Sequence, residues 1–174
     1  KDDVPFKVNS IFNPGAAKYN GKYVLVCRVE MPNGRSSFVL AWSDNGINFK
    51  VDSNPCLNSE NHKNFIDYAE WGIEDPRITK IDNKYYLTYT GYSKFMPLVF
   101  LSETSDFKNF NVIGPISEPS NKDCSLFPEK IGGYYWKVDR PSAGKRNDIW
   151  ISRSPDLIHW GNFRLLAEPL NGTW

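Results

Sequence analysis

Short runs rich in Val, Ile, Tyr, Phe and Trp alternate along this chain with Asn-Gly, Asp-Asn and Gly-Gly turn signals. No stretch keeps a convincing helical period over ten or more residues. The pattern predicts an all-β protein built from hairpins.

The hairpins repeat. "YNGKYVLVCRVE" is followed by "SSFVLAWSDNGINF", "IDNKYYLTYTGYS" by "LVFLSETSDFKNF", and "IGGYYWKVDRPS" by "DIWISRSPDLIHW". Each unit has a turn, a tyrosine-bearing strand, a second strand closing on Ser and Asp, and then an aromatic. Tyr23 to Asp44 is 21 positions, Tyr86 to Asp106 is 20 and Tyr135 to Asp156 is 21, whereas the linkers between units differ. Repeated antiparallel modules with aromatic signatures are the mark of β-propeller blades. A β-sandwich would account for the strands but not for the repeat. In a propeller, Asp44, Asp106 and Asp156 are expected to accept backbone N–H bonds at corners, and Phe49, Phe110 and Trp160 to pack between blades.

Composition keeps the chain within the soluble globular class, with 174 residues, 40% hydrophobic and 24% charged. A formal charge of +1, carried by scattered basic residues, supplies no field for nucleic acid or an anionic membrane. No apolar run reaches spanning length, and Lys1-Asp2-Asp3-Val4-Pro5 lacks a signal-peptide core. Cys27, Cys56 and Cys124 fit neither a disulfide framework nor a zinc site and point to free thiols in a reducing compartment, the cytoplasm. Asn171-Gly172-Thr173 forms a glycosylation sequon, which matters only in the secretory path. His62 and His159 are too far apart in sequence for a metal-binding His pair, so no metal is expected.

Chemistry is expected where loops break the repeat. These are the connection from Val51 to Arg77, the stretch 121–130, and "VDRPSAGKRND" at 138–148. Arg28 interrupts an apolar strand, so it either pairs with an acid such as Glu30 or points into a polar channel. Lys122 beside Asp123, and Arg140 before Pro141, admit ordinary surface pairing. If the ring brings Arg28, Lys122 and Arg140 together, they form a phosphate-sized anion site, with Asp75 or Glu74 as its acid.

"FNPGA" with Asn13, "CRVE" with Arg28, "GIEDPRITKI" (72–81), "YYLTYT", "NKDCSLFPEKI" (121–131), the pair Arg140-Pro141 and "IWISRSPDLIHWG" together closely resemble glycoside hydrolase family 130 along nearly the whole chain. The resemblance implies a five-bladed propeller of about 300 residues or more, of which residues 1–174 supply about three blades as a single partial catalytic domain. It also implies inverting phosphorolysis of β-mannosides, with inorganic phosphate as co-substrate and α-mannose 1-phosphate as product. Hydrolytic members and a noncatalytic sugar-binding propeller are the alternatives. Asp75 carries over as the proton donor, acting through a mannosyl hydroxyl. Arg28, Arg140 and Lys122 carry over as phosphate or sugar ligands, Asn13 and Asp123 as substrate contacts, and Glu74 and Arg77 as groups that position Asp75. Asp139 departs from the histidine that family members often carry before Arg-Pro, and it would repel phosphate unless it faces away. The acceptor sugar and the oligomeric state stay open, including a homo-oligomer whose neighbouring subunit completes the acceptor subsite.

Overall fold

Among the described residues of this computed structural model, 2–142 and 147–170, the chain forms twelve strands. They are β1 (Ser10–Tyr19), β2 (Lys22–Glu30), β3 (Ser36–Ser43), β4 (Lys50–Val51), β5 (Ile73–Ile81), β6 (Lys84–Gly91), β7 (Leu98–Thr104), β8 (Asn111–Pro115), β9 (Asn121–Leu126), β10 (Tyr135–Pro141), β11 (Ile149–Ser154) and β12 (Gly161–Ala167). Each run of four strands pairs antiparallel in chain order, giving the sheets β1 to β4, β5 to β8 and β9 to β12. These are three consecutive blades of an all-β propeller fold, as the repeat predicts. The sequon at 171–173, the terminal Trp174 and residues 143–146 of the 138–148 loop lie outside the described residues.

Alternation along the strands sends one set of side chains to each neighbouring sheet. Val24, Val26, Phe38 and Leu40 of the first sheet pack on Tyr85, Leu87, Tyr89 and Phe100 of the second. Val99 and Leu101, on the other face of the second sheet, pack with Cys124, Leu126 and Leu157 of the third. Phe38, Leu87, Phe100 and Leu101 are fully buried, and each such side chain stabilises the fold by about 1.5–3 kcal/mol. Phe110 and Trp160 pack between sheets as expected, whereas Phe49 packs on the far face of the first sheet, in a cluster with Phe6, Val8 and Ile11.

The ladders correct the spacing of the repeat. Tyr23 pairs with Ser43 and Tyr135 with Ser154, but their equivalent in the second sheet is Tyr85, opposite Thr104, rather than Tyr86. At the corners, Asp106 accepts N–H bonds from Lys108 and Asn109 at 2.8 Å each, and Asp156 does so from Ile158 and His159. In the first sheet Asn45, not Asp44, plays this part, taking the N–H groups of Ile47 and Asn48 at 2.9 Å. Asp44 instead forms an exposed ion pair with Lys22. An amide oxygen accepts as a carboxylate does, so counting acids alone misplaces the corner by one residue.

One short helical segment stands within the all-β fold. Ser59–Tyr68, inside the long connection before β5, is 3-10 helix kinked at Lys63. Asn58 caps it, accepting from Glu60 N–H at 2.9 Å while Asn61 accepts from Asn58 N–H at 2.8 Å. Its threefold period and the kink explain why no 3.6-residue apolar stripe marks it.

Candidate active site

The innermost strands β1, β5 and β9 carry the same irregularity. Pairing jumps from Phe12↔Arg28 to Gly15↔Val26, from Glu74↔Thr90 to Arg77↔Thr88, and from Lys122↔Arg140 to Ser125↔Val138. Each is a bulge in which two residues oppose one. The first residue of each bulge has left-handed backbone, with φ 45° at Asn13, 52° at Asp75 and 57° at Asp123. Asn and Asp are the side-chain-bearing residues that tolerate this region best. The requirement for a bulge therefore selects Asn or Asp at three related positions, and it re-aims three polar side chains.

Two of these bulges touch. Asn13 donates from Nδ2 to Asp75 Oδ1 at 2.9 Å across 62 residues of sequence. Gly15 makes this approach possible, because a Cβ there would lie 2.8 Å from the Pro76 carbonyl oxygen and 3.0 Å from Ile78 Cγ1. Gly72, with φ 122°, brings the start of β5 against Ser36, where a Cβ would lie 2.6 Å from the Ser36 nitrogen. Pro76 fixes its own φ inside the bulge and restricts the residue before it.

Arg28 joins the acids. It donates from Nη1 to Asp75 Oδ1 at 3.1 Å, from Nη2 to Glu74 Oε1 at 2.8 Å and from Nε to Ser36 Oγ at 2.9 Å. Its guanidinium also lies 4.7 Å from the centre of the Phe12 ring. The pairing with Glu30 considered from sequence does not form, and Glu30 accepts instead from Asn9. Burial pushes the Glu74 carboxyl up, opposed by the Arg28 charge. Lys122 acts on Glu74 in the same direction as Arg28, and Asp75 and Asp123 act against it. These interactions place the third bulge within electrostatic reach of the second.

Arg140 is paired rather than free. Its Nε donates to Asp123 Oδ2 at 2.8 Å, its Nη2 reaches the same oxygen, and its Nη1 donates to Asn147 Oδ1 at 2.8 Å. The half-buried Lys122 side chain makes no hydrogen bond or ion pair among the described residues, which leaves its ammonium available to a ligand. Arg77 is exposed and contacts neither Glu74 nor Asp75, so the structure does not bring it to the acids. Asp139 faces away from the anion site, as the departure from the family pattern required. It is 3% exposed and paired with Lys137, while alternation turns Arg140 to the other face of β10.

The site thus gathers Asn13, Glu74, Asp75, Lys122 and Asp123 from the three bulged strands with Arg28 of β2 and Arg140 of β10. Sequence reasoning missed Ser36, which anchors the Arg28 fork, and Gly72, which sets the entry to β5. A Gly directly before the "IEDPR" run was the available signal for Gly72. Among the described residues, no three His, Cys, Asp or Glu side chains form a group that could hold a metal ion.

The profile of glycoside hydrolase family 130, described as β-1,4-mannooligosaccharide phosphorylase, matches residues 1–174. The chain is 40% identical over 129 residues to a β-1,2-mannobiose phosphorylase of Listeria innocua, covering 73% of this chain and 35% of that protein. It is 33% identical over 175 residues to a 1,2-β-oligomannan phosphorylase of Thermoanaerobacter sp., covering 95% of this chain and 56% of the relative. In shape it is similar to a β-1,2-mannobiose phosphorylase from Listeria innocua in complex with β-1,2-mannobiose, with a TM-score of 0.86 and 30% identity over 95% of this chain and 61% of that one. The chain spans about a third of the first relative and just over half of the second. With the profile running through all three bulges and the blades superposing on a solved relative, the chain belongs to glycoside hydrolase family 130.

Proposed function

We propose that the protein containing this chain cleaves β-mannosides with inorganic phosphate and inverts the anomeric centre to give α-mannose 1-phosphate. The observation that carries the reading is Arg28, whose one guanidinium holds both Glu74 and Asp75 beside the cation Lys122. The phosphorylase names of the relatives support it.

Asp75 is the proton donor in this reading. Asn13 and Arg28 hold one of its oxygens, Oδ1, and neither contact engages Oδ2, which is therefore available to a sugar hydroxyl. The proton passes from Asp75 through a mannosyl hydroxyl to the departing oxygen. Phosphate attacks the anomeric carbon from the opposite face and displaces the acceptor sugar. An anionic nucleophile needs no general base, whereas an inverting hydrolase needs a second carboxylate to activate water. Cations take the place of the base, and Arg28, Lys122 and Arg140 supply the charge that a phosphate dianion requires. Glu74 shares the Arg28 fork and keeps it aligned on Asp75. Asp123 does the same for Arg140.

Phosphate is the co-substrate, and the reading calls for no other cofactor. The reaction is assigned to the cytoplasm, in keeping with free thiols at Cys27, Cys56 and Cys124. No helix among the described residues is long and apolar enough to cross a membrane. Product analysis with and without phosphate tests the reading. Mannose 1-phosphate formed only with phosphate supports it, and free mannose formed at equal rates in both overturns it in favour of a β-mannosidase.

A further inference from the structure

The interfaces on the two sides of the second sheet are not alike. Between the first and second sheets, the 3-10 segment inserts His62 and Phe65 over the paired residues Tyr89 and Phe100. The His62 ring lies 5.0 Å from that of Phe100, and Nε2 is 3.0 Å from the Tyr89 hydroxyl. The equivalent pair in the third sheet is Asp139 opposite Trp150. The connection that would cover it runs only from 116 to 120, whereas the one before β5 runs from 52 to 72. The position filled by a plug at the first interface is therefore a cavity of about 760 Å³ at the second.

We propose that this cavity binds sugar units of a β-mannoside remote from the bond that is cleaved, an inference that rests on the function proposed above. Trp150, Trp160 and Phe163 line it with aromatic side chains, a residue type on which the C–H face of a pyranose stacks, and the Trp160 ring also carries the Lys137 ammonium 5.3 Å from its centre. Lys137 and Asp139 stand at its wall as a buried ion pair, offering both donors and acceptors to hydroxyl groups. Asn121, 8% exposed, also lines the cavity, and among the described residues its Oδ1 has no hydrogen-bond partner, as is true of the adjacent Ser120 Oγ. Two buried acceptors would stay unsatisfied against an apolar ligand, so the site fits a ligand rich in O–H donors.

The Lys137 and Asp139 charges offset each other at the wall, and Glu118 adds an exposed carboxylate among the described lining residues. A neutral polyol with alternating apolar and hydroxyl faces meets each condition. The volume lies within the ~300–1,000 Å³ range of small-molecule sites. Asn121 adjoins Lys122 on β9 and Pro141 adjoins Arg140 on β10, so alternation sets the cavity and the candidate active site on opposite faces of the same two strands.

The test compares affinities for β-1,4- and β-1,2-linked mannobiose with those for the corresponding mannotetraoses by calorimetry, alongside assays for mannose 1-phosphate. One tetraose is expected to bind about ten-fold more tightly than its disaccharide, the change expected from one good stacking contact. Phe163→Ala, at a side chain 59% exposed and so removable without a cavity in the core, is expected to abolish that advantage and leave disaccharide affinity unchanged. Trp150→Phe, which keeps the core filled, is expected to reduce it. Equal affinities for short and long saccharides, or an advantage that survives both variants, would overturn the proposal. Mannose 1-phosphate formed without any length dependence removes this site and leaves the function standing. A tetraose advantage sensitive to Phe163 without mannose 1-phosphate does the reverse.

Discussion

Asn13 and Asp75 occupy the same place in two different sheets, each the left-handed first residue of a bulge, and their side chains meet at 2.9 Å. The contact couples backbone conformation to the candidate acid. Asn13→Gly keeps the bulge and removes the contact, whereas Asn13→Ala also leaves a Cβ in left-handed backbone without the polar side chain that offsets its cost of about 1–2 kcal/mol. Both are expected to lower kcat about ten-fold by loosening Asp75, and only the alanine variant to lower the urea midpoint appreciably. Equal midpoints for the two would show that the bulge imposes no such strain.

Gly15→Ala tests the close approach of β1 to β5. Its Cβ would lie 2.8 Å from the Pro76 carbonyl oxygen, so the strands must part. The expected cost is about 1–3 kcal/mol in chemical denaturation. Activity should also fall, because Asn13 moves away from Asp75.

His62 makes stability depend on pH. Its Nδ1 lies 3.0 Å from the Asn58 carbonyl and 3.2 Å from that of Ser59, which fixes the proton there and leaves Nε2 to accept from Tyr89. Burial lowers its pKa from the usual 6.5. The unfolded chain therefore takes up a proton first as pH falls, and stability contributed above about 6.5 is lost progressively below it, down to the lowered folded value. Denaturation midpoints should decline from pH 7 to pH 5 in the wild type. His62→Phe is expected to be less stable at pH 7 and to flatten that decline, and an unchanged slope would rule His62 out as its source.

The Asp106 corner responds at lower pH. N–H bonds from Asn109 and Lys108 hold its carboxyl down at about 2, against 3.8 ordinarily. Its contribution is present above about pH 4 and disappears as pH falls toward 2. Asp106→Asn reproduces what Asn45 does in the first sheet. It is expected to fold normally at pH 7 and to lose less stability than wild type between pH 4 and pH 2, as circular dichroism would record.

Much of this was legible in the chain because blade packing repeats. Tyrosine-bearing strands, turn dipeptides and one aromatic per unit recur at nearly fixed spacing, and three sheets follow from them. The 3-10 plug was not legible, since its period is not that of an amphipathic helix and its anchor, His62, is a single polar residue in a polar segment. The pairings within the site were only partly legible. Arg28 announced itself as a charge in an apolar strand, yet its partners lie 46 and 47 residues away, and only the meeting of β2 with β5 selects them over Glu30. Arg77 follows the acids in sequence, yet among the described residues no hydrogen bond or ion pair joins its side chain to Glu74 or Asp75.

Initial rate against phosphate concentration, with the product identified by NMR, tests the central claim most directly. With β-mannobiose as substrate, the rate is expected to rise from near zero to saturation with phosphate, and the product to be α-mannose 1-phosphate. Asp75→Asn should remove the activity while retaining sugar binding. A rate independent of phosphate with free mannose as product, or an undiminished Asp75→Asn variant, would contradict the account.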